Sequence, residues 1–303
     1  MVLAALFVSQ AIASAIVFPS TGPSPRLSKR DFRIKEDRLS SVSGPWPDGR
    51  IVWCFESHGD ADSEDTFKQV VQIADDAWNY IWKEALKGKS SLQWLAADEK
   101  KPDCNDLDKH GDMLHIEFND LHFADSPVGW QGYGYGANLV NFDPSPDYGA
   151  KDAVVNFAHE MGHVFGLLHP HQRPDAWEEP AVLKLKCENL HDYEEMETLG
   201  HRMDELCKSE KSARDAGFSA ADFLGLARLK GTVVQNGELD WDSIMMYDSA
   251  AGAKKGTKAL VKNDRSETEL PIIKTASEGD VSSVGKLYPV KDGHGESETS
   301  DSD

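Results

Sequence analysis

The segment His159–His169 constrains the fold more than any other, because it holds three histidines, a glutamate and two glycines at fixed spacing. Residues four apart in an α-helix lie one turn apart on the same face, so His159 and His163 are placed to bind one ion. Gly166 falls where such a helix should end in a left-handed residue, and the turn there brings His169 back. The segment therefore predicts a helix, a sharp turn and a site with three imidazoles.

The same helix has a recognisable start and a buried face. Asp152 is a suitable N-cap residue, because its carboxylate can accept a hydrogen bond from a free backbone N–H of the first turn. Apolar residues recur at helical spacing and form a stripe opposite the histidines: Val154, Ala158, Met161 and Phe165. The pattern predicts a helix from Asp152 to Phe165 whose apolar side packs on a core.

Three imidazole ligands leave one of the four usual zinc positions open, which is typical of catalytic zinc sites. Glu160 lies about 100° round the helix from His159, so its carboxylate is free to act as the general base toward a zinc-bound water. The predicted ligands of one Zn²⁺ per chain are His159, His163 and His169, and Glu160 is the predicted catalytic residue. The alternative is a solvated polar helix face that binds nothing.

A second motif lies further along the chain, where Ser243–Tyr247 has the pattern S-x-M-x-Y, called the Met-turn below. Together with the histidine segment, it resembles the metzincin clan of zinc endopeptidases and, within the clan, the astacin-like enzymes. The resemblance implies that Met245 forms an apolar floor beneath the histidines and that Tyr247 is a catalytic residue that stabilises the oxyanion. In isolation, such residues would be core methionines and a half-buried tyrosine.

The residues around the third histidine combine features of two branches of that clan. Pro170 resembles the serralysins, whereas His171, Arg173 and Asp175 resemble the astacin continuation. The serralysin alternative is disfavoured, because the chain has no glycine-rich calcium repeats. His171 could reach the cleft, but its polar neighbours Gln172 and Arg173 favour a position at the surface, which is the prediction.

The resemblance also implies an α+β fold. A twisted mixed sheet and the long zinc-binding helix would form an N-terminal subdomain of about residues 46–166, and residues 167–290 a mainly helical and irregular C-terminal one. Hydrophobic patterns predict strands at Gly49–Phe55 and Met113–Phe118 and a helix at Glu64–Ala85. Residues Glu278–Pro289 resemble the clan's last helix.

One strand is a candidate for substrate binding. Ala137–Phe142 alternates in hydrophobicity and precedes the zinc helix, where the clan has the sheet edge that lines the cleft. An exposed edge can pair with an extended peptide backbone. The expected substrate-binding residues are therefore Ala137, Asn138, Leu139, Val140 and Asn141. An ordinary inner strand is the alternative.

The ends of the chain differ in composition from the stretch between them. Residues 1–15 are apolar and end in a small-x-small pattern typical of a signal peptide, and residues 16–30 form a short propeptide that ends in Lys29-Arg30. Residues 31–290 have the composition of one catalytic domain, and the acidic tail 291–303 is too polar to fold alone. Since no stretch is long and apolar enough to span a bilayer, stable membrane insertion is not expected.

The chain has four cysteines. In a secreted protein an even number suggests disulfides, and the two shorter loops favour Cys54–Cys104 and Cys187–Cys207. Four buried thiols are the alternative. The formal net charge of −20 argues against nucleic acid as a partner.

These features predict a secreted zinc-dependent endopeptidase, monomeric, that hydrolyses protein or peptide substrates through a zinc-bound water activated by Glu160. The alternative is a secreted zinc-binding protein on the same scaffold without catalytic turnover. Metal content without hydrolysis would distinguish the second from the first.

Overall fold

The structure, a computed structural model, describes residues 32–34, 44–56, 64–98, 104, 112–119, 124–133, 137–226, 232–234 and 238–290. The predicted signal peptide, propeptide and acidic tail lie outside the described residues. Within these ranges, no helix is both long enough and apolar enough to cross a membrane.

The described strands are β1 (Phe32–Ile34), β2 (Arg50–Glu56), β3 (Gln93–Ala96), β4 (Leu114–Phe118), β5 (Ala124–Asp125), β6 (Leu139–Phe142), β7 (Leu183–Leu185), β8 (Thr232–Val234) and β9 (Leu260–Lys262). The described α-helices are α1 (Glu64–Asp76), α2 (Lys83–Leu86), α3 (Ala153–Phe165), α4 (Tyr193–Thr198), α5 (Met203–Leu206), α6 (Glu210–Ala216) and α7 (Glu278–Leu287). A π-helical stretch, Ala77–Trp82, joins α1 to α2, so the predicted long helix is continuous.

The main sheet has the strand order β3-β2-β4-β6-β5. The first four strands are mutually parallel, and β5 is antiparallel to β6. The inner strand β2 is almost entirely buried, as expected of a parallel strand covered on both faces. The sheet is therefore mixed, as the resemblance implied.

The position of β6 corrects the predicted substrate strand. We expected Ala137–Phe142 at the edge of the sheet, but β6 pairs with β4 on one side and with β5 on the other. β5 covers Asn141 and Phe142 of the outer edge, so a peptide could not pair with the full length of β6. Among the described residues, the outermost strand on this side is β5.

The first apolar core lies between the sheet and the helices α1 and α3. Phe165 contacts the ring of Trp82 edge to face, with centroids 5.2 Å apart, and Phe157 contacts Phe142 in the same way at 4.9 Å. The indole N–H of Trp82 donates to the carbonyl oxygen of Ala158 at 2.9 Å. These contacts fix α3 against the sheet and against the helical segment that contains Trp82.

Residues after the third histidine build a second apolar core from α4, α5, α6 and the antiparallel pair β7–β9. The disulfide Cys187–Cys207 lies at this core, and Cys54–Cys104 ties β2 to the loop before β4. Both pairings are the predicted ones. Each closes a loop of the chain and so stabilises the fold mainly by restricting the unfolded state.

Two distant segments return to the first core. The helix α7 buries Val281, Val284 and Leu287 there, together with the Met-turn residues Ile244 and Met245. At the other end of the chain, β1 pairs with β8, and the backbone N–H of Ile34 donates to the carbonyl of Gly166 at 2.9 Å. The chain that follows the predicted propeptide is thus packed on the end of α3.

Candidate metal and catalytic site

The helix α3 begins and ends as its sequence predicts. Its N-cap is Asp152, whose side chain accepts a hydrogen bond from the N–H of Val155 at 3.3 Å. Gly166 ends the helix with φ of 105°, a left-handed conformation that costs glycine little because it lacks a Cβ. The chain then reverses and brings His169 beside His159 and His163.

Each of the three histidines has its Nδ1 atom held by an oxygen atom. A carbonyl or amide oxygen can only accept a hydrogen bond, so the proton of each neutral ring is fixed on Nδ1. The acceptors are the carbonyls of Ile244 and Leu167 and the side-chain oxygen of Gln172, at 2.8, 3.0 and 3.0 Å from His159, His163 and His169.

The Nε2 atoms of the three rings lie close together. Nε2 of His169 lies 3.0 Å from Nε2 of His159 and 3.0 Å from Nε2 of His163. Since the protons are on Nδ1, each of these short contacts brings two unprotonated nitrogens together and is not a hydrogen bond. A tetrahedral zinc with bonds of about 2.1 Å would separate its ligand nitrogens by about 3.4 Å, so the donor set fits a zinc ion.

Burial keeps the three rings neutral, which is the form that binds a metal. It lowers the pKa of His159 to about 4 and that of His163 to about 3. Burial also lowers the pKa of His169 well below its ordinary value, and the neighbouring histidines act in the same direction. At neutral pH the site therefore presents unprotonated nitrogens.

Glu160 is buried next to the histidines. The hydroxyl of Ser126, directly after β5, donates to Oε2 of Glu160 at 2.5 Å. Burial raises the pKa of Glu160 to about 8, while the hydrogen bond from Ser126 acts in the opposite direction. A metal ion held by the histidines would act with Ser126 to lower this pKa, and a carboxylate that titrates near neutrality can both take up and release a proton, as a general base and acid must.

The Met-turn packs against α3. Met245 is fully buried, and its sulfur packs against the backbone of Gly162, directly below the histidine-bearing helix. The ring of Tyr247 is half-buried, with its centroid 4.5 Å from that of His169 and 6.1 Å from that of His159. Met245 therefore packs on α3 at Gly162, and the Tyr247 ring lies beside the rings of His169 and His159.

The prediction that His171 lies at the surface is wrong. Its side chain is completely buried, with its ring centroid 4.9 Å from that of His169 and 4.5 Å from that of Tyr247. Its Nε2 atom lies 3.0 Å from the carbonyl oxygen of Asp222, and its Nδ1 atom accepts from the N–H of Tyr247 at 3.4 Å. Contacts from segments far along the chain bury it, and no local pattern reveals them.

Sequence reasoning found the histidines, Glu160, Met245 and Tyr247, and the structure brings all of them together. It missed Ser126 and Gln172, which hold Glu160 and His169. Of these two residues, only Gln172 could have been found from the local sequence, because it lies three residues after the last histidine. The side chain of the expected substrate residue Asn138 accepts from the N–H of Gln131 and donates to the carbonyl of Gly132.

No protein-family model and no curated protein matches the chain. Among solved structures, high choriolytic enzyme 1, a hatching enzyme zinc-protease from the medaka fish Oryzias latipes, superposes with a TM-score of 0.51 at 14% identity, over 84% of this chain and 98% of the other. Two structures of myroilysin superpose with TM-scores of 0.46 and 0.44 at 15% identity, over 86% and 93% of this chain and 99% and 94% of theirs. The likeness to the hatching enzyme shows that the mixed α+β fold of that zinc protease is shared.

Proposed function

We propose that this protein is a secreted, astacin-like zinc endopeptidase. The observation that carries the proposal is the convergence of three unprotonated Nε2 atoms beside a buried carboxylate, Glu160. A closed structural site would need a fourth protein ligand, and the described group has three. Three protein ligands leave a fourth coordination position open, which fits a catalytic centre.

In this proposal His159, His163 and His169 hold one zinc ion. When bound, zinc supplies Lewis-acid chemistry that polarises the scissile carbonyl and makes water a competent nucleophile at neutral pH. The hydrogen bonds at Nδ1 fix the ring orientations in advance, so little rearrangement is needed for binding.

Glu160 moves the protons. It accepts one from the attacking water and returns it to the nitrogen of the leaving amine, so the peptide bond is replaced by a carboxyl group and an amine. The hydroxyl of Ser126 holds the carboxylate while it does so. Burial raises the pKa of Tyr247, so its hydroxyl keeps its proton and can donate a hydrogen bond to the oxyanion.

Proteins or peptides bound in extended form are the proposed substrates. Ser126 follows β5, so the outermost described strand on this side runs directly past the catalytic carboxylate. A peptide paired with that strand would have its backbone beside Glu160 and the histidines. This shifts the proposed substrate-binding strand from β6 to β5.

Secretion is proposed from two features. The disulfides Cys54–Cys104 and Cys187–Cys207 are of the kind that persists in oxidising compartments. The first 15 residues have the pattern of a signal peptide. A processed chain in the growth medium that begins at Asp31 would support both the leader and the dibasic cut.

The test compares unmodified protein with Glu160→Gln, using a denatured protein substrate with and without a zinc chelator. We expect chelation to abolish cleavage and added zinc to restore it. Glu160→Gln keeps the side-chain shape and should bind zinc, but cleave about 10²- to 10⁴-fold more slowly. Glu195→Gln, which changes an exposed carboxylate on α4, is the matched control and should cleave normally.

Two results would overturn the proposal in different ways. Stoichiometric zinc without cleavage by the unmodified protein would assign the chain to the zinc-binding alternative. If the unmodified protein binds no zinc, the three histidines do not form a metal site.

A further inference from the structure

The first turn of α7 makes a connection that a helix terminus does not need for its own stability. Ser277 and Asp280 form a capping box: the Ser277 hydroxyl accepts from the N–H of Asp280 at 2.9 Å, and the N–H of Ser277 donates to Asp280 Oδ2 at 2.9 Å. Such a box satisfies the free N–H groups at the start of a helix. The carboxylate of Asp280 has further partners outside the helix.

Those partners belong to the Met-turn. The hydroxyl of Ser243 donates to Asp280 Oδ1 at 2.6 Å, and the backbone N–H of Ile244 donates to Oδ2 at 3.0 Å. Ser243 in turn accepts from the N–H of Met245 at 3.0 Å. One carboxylate therefore holds three consecutive residues of the turn.

Ile244 links the carboxylate of Asp280 to the histidine cluster. Its N–H binds Asp280, while its carbonyl accepts the Nδ1 proton of His159 at 2.8 Å. Side chains that orient the ligands of a metal in this way contribute to its affinity. A displaced Ile244 would turn the ring of His159 away from His163 and His169.

The carboxylate of Asp280 and its partner Ser243 are both buried. Asp280 is 5% exposed and Ser243 is 0% exposed, so water cannot replace the missing acceptor if the carboxylate is removed. The other charged group facing it is Asp240, on the segment before the Met-turn, which accepts from the hydroxyl of Ser277 at 2.7 Å. A buried N–H without an acceptor has to move or pay a desolvation cost, and both outcomes disturb the turn.

We propose that Asp280 is a positioning residue for the metal site, acting on His159 through the backbone of Ile244. This inference rests on the proposed function, because it concerns the zinc ligands. It adds that the C-terminal helix, more than a hundred residues from the histidine motif, sets the orientation of the first ligand.

Cobalt substitution tests the proposal without depending on activity. The variants are Asp280→Ala, which removes both acceptors, and Asp280→Asn, which retains an oxygen for the N–H of Ile244. Glu278→Ala is the matched control, because it removes an exposed carboxylate from the same helical turn. Zinc affinity is measured by competition, the visible Co²⁺ spectrum reports ligand geometry, and circular dichroism reports folding.

We expect Asp280→Ala to lower zinc affinity about 10- to 100-fold and to alter the Co²⁺ spectrum. Asp280→Asn and Glu278→Ala should stay within about threefold of the unmodified protein, which is well under the loss from a missing partner. A folded Asp280→Ala variant with unchanged affinity and spectrum would overturn the proposal, as would an equal loss in Asp280→Asn.

If Asp280→Ala does not fold, Asp280→Glu takes its place, since one extra methylene prevents the carboxylate from meeting Ser243 and Ile244 together. An unchanged Co²⁺ spectrum in a folded Asp280→Glu variant would also overturn the proposal. If the unmodified protein binds no cobalt, the proposed function fails first. If the unmodified protein binds cobalt and the Asp280 variants change neither the zinc affinity nor the Co²⁺ spectrum, the positioning role of Asp280 is wrong and the proposed function stands.

Discussion

Gly162 on α3 faces the sulfur of Met245, and the missing side chain at Gly162 is what allows the two to pack together. A Cβ built at Gly162 would overlap Sδ of Met245 and touch the ring of Trp82. Met245 is fully buried and cannot move into solvent. The glycine inside the histidine motif is therefore a packing requirement of the floor beneath the site.

This relationship predicts the effect of Gly162→Ala. Overpacking costs about 1–3 kcal/mol, and alanine recovers about 1 kcal/mol of helix propensity, so we expect a net loss of up to about 2 kcal/mol in the free energy of unfolding. The measurement is denaturant unfolding of the chelated protein. In a double-mutant cycle with Met245→Ala, the two losses should be less than additive, since the second change removes the clash. Strict additivity would show that the overlap is relieved elsewhere.

A second prediction concerns His171. His171→Ala removes the hydrogen-bond partners of the Tyr247 N–H and the Asp222 carbonyl and leaves a cavity beside His169. We expect a loss of about 2–4 kcal/mol in the free energy of unfolding. His191→Ala, at an exposed histidine that also contacts a carbonyl, is the control and should lose less than about 0.5 kcal/mol. Equal effects of the two would place His171 at the surface after all.

The local parts of this site could be predicted from the sequence. The N-cap Asp152, the left-handed Gly166 and the three histidines all lie within one helix and one turn, where spacing alone decides the geometry. The disulfide pairing also followed from loop length. In each case the partners are either near in sequence or few in number.

The missed parts depend on contacts between distant segments. β5 has two residues, too few for any hydrophobic pattern, and it takes the edge position that the sequence assigned to β6. His171 is buried by Asp222 and Tyr247, which lie 51 and 76 positions further along the chain. Burial of this kind is set by the tertiary fold, so the polar neighbours of His171 in sequence were misleading.

A third prediction compares the two disulfides. Cys54–Cys104 closes a loop with a separation of 50 residues and Cys187–Cys207 one of 20. The loss of chain entropy in the unfolded state predicts stabilisation of about 4 and about 3 kcal/mol respectively. We expect the double serine variant of the first pair to lose more stability than that of the second, by chemical unfolding without reductant. The reverse order would indicate that local packing outweighs loop length.

A fourth prediction follows from the protonation of Asp280. Burial raises the pKa of Asp280 to about 6 from 3.8, with hydrogen bonds from Ser243 and Ser277 acting in the opposite direction and the charge of Asp240 adding to the rise. A carboxyl whose pKa is higher in the folded than in the unfolded protein stabilises the fold at low pH. That contribution is complete below the unfolded pKa and is lost as pH rises through the folded pKa.

The window therefore runs from about pH 4 to about pH 7, and a shift of about two units corresponds to about 3 kcal/mol. Asp280→Asn cannot titrate, so its stability relative to the unmodified protein should rise by up to that amount across the window. The difference is measured by denaturant unfolding of the chelated unmodified protein and the chelated Asp280→Asn variant at about pH 4, about pH 5.5 and about pH 7. Glu278→Gln, an exposed change in the same turn, should show no such trend. A constant difference between Asp280→Asn and the unmodified protein would mean that Asp280 stays ionised throughout, because its three hydrogen-bond donors then outweigh its burial.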